Sequence, residues 1–464
     1  MVPICSLVVC FSVWLSAMPK IAVAQSPGTS EAAAAVDDLE VADQQYQKFV
    51  DQFYRQYVKN RPPAPVSSIQ ALAQMMNSAS VVDAIAVIRG NQDLLIQNVR
   101  EKEFSALLEF LYRHNDTATV QTLTEALKKL DNPIALSHNY FLLAKYYESR
   151  QNWRGVQAAL SRVNLRELNI GDHHYYHLLM GYALQNLKQH RQALKFYQQV
   201  PPASPYFSHV KLNEGTAFLR QGWWTEAHLE FEKAIKVLDQ SGGDTELRNR
   251  ILVVLGYSQL NYEFYRDARD TFRKVALDSG AMNKALMGIG LAAAYQKDFA
   301  GAANAFRILA EKVPSDLSVD EAFLLLPVAL VEAGDGVAAA VAYQQATRHY
   351  ENKIHELEAL QERLKVSDFD VSLQTIRELD NRAQEIYGGQ QGLPGFLLNN
   401  YQNLLALRDE SAEHGLAAQF NALHGDYKKL LQGITHTNID SRLGMLNSYL
   451  SQAKFGMAQL YDKP

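Results

Sequence analysis

Gly215-Thr216-Ala217-Phe218-Leu219-Arg220-Gln221-Gly222-Trp223-Trp224-Thr225-Glu226-Ala227-His228-Leu229-Glu230-Phe231 sets a small residue twelve positions before an alanine and sixteen before an aromatic. The spacing recurs at Gly181/Ala193/Tyr197, Gly256/Ala268/Phe272 and Gly290/Ala302/Phe306, with successive glycines 34, 41 and 34 residues apart. A period of this size indicates an array of helical hairpins rather than one globular core. Gly or Ala at a helix crossing lets two backbones approach, one small residue from each helix. The aromatic one turn after the alanine shares its face and is expected to fill the space between one hairpin and the next. The reading favours a partner-binding scaffold over an enzyme.

Nine residues after each small residue, at the turn between helices, stands an aromatic or histidine: Trp153, His190, Trp224, Tyr265, Phe299. Pro205 and Pro314 each follow their glycine by 24 residues. A weaker copy precedes these at Ala144, Val156 and Leu160, and another follows at Ala339, Tyr343 and Ala346, with Pro327 in place of its first small residue. A still earlier unit is suggested by Phe110, Thr122 and Ala126. The pattern resembles the tetratricopeptide repeat family over roughly 137–350. The resemblance implies an all-α, right-handed superhelix (an α-solenoid) with helical extensions at both ends. The fold hosts many unrelated partners, so it does not choose a function.

The N-terminal run Ile4–Met18 is apolar enough for the core of an export signal, and Ala22-Val23-Ala24 before Gln25 reads as its cleavage site. No Lys or Arg precedes the run, and an uncleaved membrane anchor is the competing reading, although the stretch is short for a spanning helix. Both cysteines, Cys5 and Cys10, fall inside the signal. A mature chain without cysteine has no disulfide, thiol catalysis or thiolate metal site, which suits an exported protein. The expectation is a bacterial periplasmic location. The domain reading is 1–24 signal peptide, 25–36 flexible lead, 37–136 helical cap region, 137–350 repeat array and 351–464 C-terminal helical region.

In the cap region, Val41, Tyr46, Val50, Phe53 and Tyr57 follow helical spacing, and Arg61-Pro62-Pro63-Ala64-Pro65 ends that helix. A solenoid needs such caps because its end repeat exposes a stacking face. Beyond the array, Ile354, Leu357, Leu360 and Leu364 stripe a helix over 347–366, suggestive of a coiled coil that pairs two chains. A helix over 370–387 ends at the breaker Gly388–Gly395. The last helix, Ser441–Asp462, is expected to close the array or pack on its neighbours.

The net charge is −5, and −6 once Lys20 leaves with the signal. No Lys/Arg block tracks phosphates, so nucleic acid is disfavoured. No P-loop, nucleophile elbow, H-E-x-x-H or dinucleotide fingerprint is present, and no cofactor or metal is expected. His173-His174-x-x-His177 is the one histidine cluster, without an acidic or cysteine partner at ligand spacing, and reads as packing. An enzyme would regain its case only if these histidines met a carboxylate. Trp223-Trp224 reads mainly as turn packing, with a partner anchor as the sharper alternative.

In the resembled family, the first helix of each hairpin lines a concave groove. Its groove positions fall here on Lys145, Tyr175, Tyr182, Asn186, Asn213, Arg220, Arg250, Tyr257, Asn261, Lys284 and Tyr295, with Glu148 the one acid among them. Asn213 and Arg250 match parts of a carboxylate clamp whose other members are missing, so no clamp is assigned. Tyrosine gives large contact area with few rotors to freeze, and the cations suit an extended, acidic peptide. The functional expectation is a periplasmic adaptor with protein partners in an envelope complex. Outer-membrane transport, export machinery and cell-wall assembly all remain open. A carrier or sensor binding a small ligand or glycan on the tyrosines is the alternative.

Overall fold

The computed structural model describes residues 30–130, 132–312, 316–366 and 393–461. The export signal, Pro314, the expected 370–387 helix and most of the Gly388–Gly395 breaker lie outside these. The described residues are helical, with no strand among them.

Four helices lead: α1 (Ser30–Asn60), α2 (Ile69–Ser78), α3 (Val81–Gly90) and α4 (Gln92–Gln97). Helix α1 begins inside the segment expected as a flexible lead, and it ends at the proline run. Its buried stripe is Tyr46, Phe49, Val50, Phe53, Tyr54 and Tyr57, whereas Val41 is 51% exposed. Hairpins follow: α5 (Lys102–Arg113) with α6 (Thr117–Lys129), α7 (Pro133–Ser149) with α8 (Trp153–Leu160), and α9 (Ile170–Asn186) with α10 (His190–Tyr197). Next come α11 (Phe207–Leu219) with α12 (Trp224–Ser241), α13 (Thr245–Asn261) with α14 (Tyr265–Phe272), and α15 (Met282–Tyr295) with α16 (Phe299–Ala310). Helix α17 (Leu317–Glu332) pairs with the long α18 (Gly336–Val366). Then come α19 (Gly395–Ala406), α20 (Arg408–Glu413) and α21 (Ala417–Tyr461). Trp153, His190, Trp224, Tyr265 and Phe299 are each the first residue of a second helix.

One turn is used eight times. Two residues before each second helix the backbone is left-handed, at Asn115, Gln151, Lys188, Gly222, Glu263, Lys297, Gly334 and Gly415, with φ between 55° and 84°. The next N–H then reaches back five residues, as from Trp223 to the Phe218 carbonyl at 3.0 Å and from Asp298 to that of Ala293 at 2.9 Å. This is the Schellman closure of a helix end. Its recurrence at Asn115 and Gly415 extends the hairpin series beyond the copies legible from the small-residue spacing. Asn132, Asn169, Asp244 and Asp316 then start the first helices of four hairpins by accepting backbone N–H bonds.

Five of the eight turns place a side chain at positive φ, which costs an L-residue about 1–2 kcal/mol. Lys188→Gly, Glu263→Gly and Lys297→Gly should each therefore stabilise the fold by about 0.5–1 kcal/mol. A higher melting temperature for each would bear this out.

The small-residue pattern works at closer range than its spacing alone predicts. A Cβ built on Gly181 would lie 2.4 Å from the Tyr197 ring, on Gly215 2.3 Å from Phe231, on Gly256 2.6 Å from Phe272, and on Gly290 2.3 Å from Phe306. Each aromatic lies flat against the glycine of its own hairpin, not solely between hairpins. Phe272 does both, because a Cβ on Gly288 of the following first helix would also meet its ring at 2.3 Å. Pro327 is accommodated within α17.

The C-terminal helices correct two expectations. Ile354, Leu357, Leu360 and Leu364 on α18 are buried against Ile439, Leu446, Tyr449 and Ala453 of α21. That stripe is satisfied within one chain and is not a free seam for a second copy. The last helix is also longer than Ser441–Asp462. It starts at Ala417, and its first half is buried in a cluster with α1, α5, α6, α7 and α19. No helix among the described residues is long and apolar enough to cross a membrane.

Candidate functional site

The first helices α7, α9, α11, α13, α15 and α17 stand side by side, and the predicted groove residues fall on them in rows. At the α7–α9 seam, exposed Lys145 places its Nζ 4.8 Å from the Phe141 ring centre and 5.4 Å from that of Tyr175. Tyr175 Oη donates to Glu148 Oε2 at 2.8 Å. Burial raises the Glu148 pKa, a shift that Tyr175 and Lys145 oppose. The Tyr175 ring also lies 5.3 Å from Tyr206, at the start of α11. At the α13–α15 seam, Tyr257 Oη donates to the Lys284 carbonyl at 2.9 Å. The side chains of Lys145, Arg220, Arg250, Asn261 and Lys284 are exposed, and Asn213 and Asn186 are half-buried. Asn186 Nδ2 turns back to the Tyr182 carbonyl at 2.9 Å.

Two predicted tyrosines are engaged by the preceding hairpin. Tyr182 meets Trp153 edge-on at 5.1 Å, and Tyr295 stacks on Tyr265 at 4.9 Å. In each pair the first residue of a second helix reaches forward to the next first helix, so these rings weld hairpins together. Trp224 reaches forward to the turn of the next hairpin, at Tyr262 and Phe264, 5.6 and 5.3 Å away. Trp223 stacks on Phe218 at 5.8 Å and stays 43% exposed. The His177 ring lies 6.2 Å from Phe196, and burial lowers its pKa. Among the described residues no group of three His, Cys, Asp or Glu is brought together as a metal site.

Sequence reasoning missed the charged end of this face. Glu321 stands six residues before Pro327, as Lys284 and Arg250 stand six before Gly290 and Gly256, so the register marked by Pro327 carries Glu321 into the row, and the groove positions named from the family resemblance omit it. Burial and the nearby Asp316 raise the Glu321 carboxyl to about 7. Its neighbour Asp320, fully buried, accepts from His349 Nε2 at 2.6 Å, from Lys353 Nζ at 2.8 Å and from Arg442 of α21. Burial and Lys353 pull the His349 pKa down to about 3, so a neutral imidazole donates to a carboxylate already shared by two cations. Burial lowers the Arg442 pKa to about 10. Arg442 had one legible signal. It stands in phase with Ile439, Leu446, Tyr449 and Ala453, a charge in an otherwise apolar heptad seam.

No protein-family model matches this chain, and no curated protein matches it. Solved structures with similar helical arrangement include the apo form of RapI, with 12% identity and a TM-score of 0.45 over 86% of this chain and 99% of RapI. The C-terminal part of a TPR repeat-containing protein from Cytophaga hutchinsonii aligns with 19% identity and a TM-score of 0.42, over 52% of this chain and 93% of its own. The Rap conjugation gene regulator of plasmid pLS20, in complex with the Phr* peptide, aligns with 13% identity and a TM-score of 0.32, over 86% and 96%. At these identities the likeness is one of fold.

Proposed function

We propose that the chain is a non-catalytic scaffold whose inner groove holds an extended, acidic protein segment, in an exported protein serving a bacterial envelope complex. The observation that carries the reading is the row of exposed cations along the first helices, Lys145 on α7, Arg250 on α13 and Lys284 on α15, beside half-buried Tyr175 and Tyr257. Such a row offers charge to side chains of a strand lying across the hairpins, and rigid rings to its apolar atoms. Export rests on the N-terminal sequence alone. The carrier reading, with tyrosines as open stacking platforms, draws less support, because the Tyr182 and Tyr295 rings already pack on Trp153 and Tyr265.

Photo-crosslinkers at Lys145, Arg250 and Lys284, with Arg154 and Lys195 on second helices as controls, test the groove in cells. One dominant envelope protein should be captured from the groove positions alone. Arg220→Glu combined with Arg250→Glu should lower that capture at least tenfold, about 1.4 kcal/mol of binding, with unchanged melting. Equal capture from the control positions, or capture indifferent to the charge reversal, would overturn the reading.

A further inference from the structure

Helix α21 touches both ends of the array. Near its start, Phe420 lies 6.3 Å from Phe49 and Tyr427 lies 6.2 Å from Tyr46, ring to ring. Tyr427 Oη donates to the Ala42 carbonyl at 3.1 Å. Helix α1 in turn holds α7, the start of the predicted array, through Gln47 to Tyr146 at 3.0 Å and Asp43 to Arg150 at 3.4 Å. Further along, Arg442 donates to Asp320 of α17, and Tyr449 packs 5.7 Å from Tyr350 of α18. There α21 runs antiparallel to α18, with Gly456 against Tyr343 and Asp440 against Gln361. It lies where a further first helix would stack.

The length of α21 decides what this contact does. Tyr427 and Arg442 are fifteen residues apart on one helix, about 22 Å at 1.5 Å per residue. A continuous helix does not stretch, so α21 fixes the separation between the α1–α7 end of the array and the α17–α18 end. Gly425, Gly433 and Gly444 have nothing within 4 Å of an added Cβ among the described residues. They lower the helix's intrinsic stability without a packing reason, so its order rests on the seam of buried residues that runs from Phe420 to Ala453.

We propose that α21 is a strap. It fixes the curvature of the superhelix, and hence the width of the groove, and its release at either end opens the array. This goes beyond the groove reading, because it rests on contacts that involve no groove occupant.

The sequence after Cys10 contains no cysteine, so Arg154→Cys on α8 and Arg307→Cys on α16, with Cys5→Ser and Cys10→Ser, give two spin-label sites in the full chain. Pulsed dipolar spectroscopy should find one narrow distance in the parent. Inserting one heptad after Gly433 keeps both seams in phase and lengthens the strap by about 10 Å. The interlabel distance should then grow by several ångströms, toward that limit. Arg442→Ala, and separately Phe420→Ala with Tyr427→Ala, should broaden the distribution toward longer distances while helical circular dichroism persists. An unchanged distance in the heptad variant would overturn the proposal, and so would unchanged distances in both anchor variants. If one anchor variant does not fold, the other and the heptad insertion decide.

Discussion

Asp320→Ala should destabilise the protein by about 3–5 kcal/mol, read as a large fall in the denaturant midpoint. The carboxylate is fully buried and accepts from His349, Lys353 and Arg442. Deleting it leaves the Arg442 guanidinium, itself 1% exposed, without its anion. An uncompensated buried charge is far more costly than the intact pair is stabilising. The same argument predicts recovery. Asp320→Leu combined with Arg442→Met and Lys353→Met removes all three charges, and should regain most of the loss. A small effect of Asp320→Ala, or no recovery in the triple variant, would mean that water reaches this cluster. The loss should fall on the α17–α18–α21 unit first, because solenoid stability is a sum of local and neighbour terms.

Gly215→Ala should destabilise by about 1–3 kcal/mol, although alanine is the better helix former by about 1 kcal/mol. The new methyl would lie 2.3 Å from Phe231, whose ring is fully buried and has no room to retreat. Gly444→Ala in α21 supplies the contrast, since nothing among the described residues lies within 4 Å of the added carbon, and it should stabilise by about 1 kcal/mol. Gly215→Ala with Phe231→Leu should cost less than the two single changes summed, because they share one contact. A stabilising Gly215→Ala would refute the close crossing. Urea melts of these four proteins and the parent measure every term.

The repeat was legible because a close crossing can be built from few residue types. Gly181, Gly215, Gly256 and Gly290 stand where a backbone meets an aromatic ring, and no larger residue fits. The turns were less legible than their geometry is regular. Left-handed backbone is held at Gly222 and Gly334, but also at Gln151, Lys188, Glu263 and Lys297. The helices on either side impose that conformation, so the residue type need not announce it. This is why α5 with α6, whose turn residue is Asn115, was faint in the sequence. The groove rows were carried by register with the glycines, and the same register runs on through Pro327 to Glu321 at the end of the row. Tyr182 and Tyr295 share the spacing of groove residues, but whether a ring is open or stacked depends on the preceding hairpin.

Local chemistry determined the hairpin, its small-to-aromatic crossing, the helix-ending proline run after α1 and the absence of recognisable catalytic motifs. Each of these is a relation between residues within about one repeat length, and a linear sequence records such relations directly. Tertiary structure alone decided where α21 goes. Its apolar seam specifies that it must be covered, not by what, and Ile354–Leu364 carries the same ambiguity between a second chain and its own. Contacts such as Asn400 to Asp43 at 2.8 Å and Arg442 to Asp320 join residues 357 and 122 positions apart. Burial makes those polar pairs specific, because an unmatched partner in the interior is costly, and burial is a property of the assembled fold.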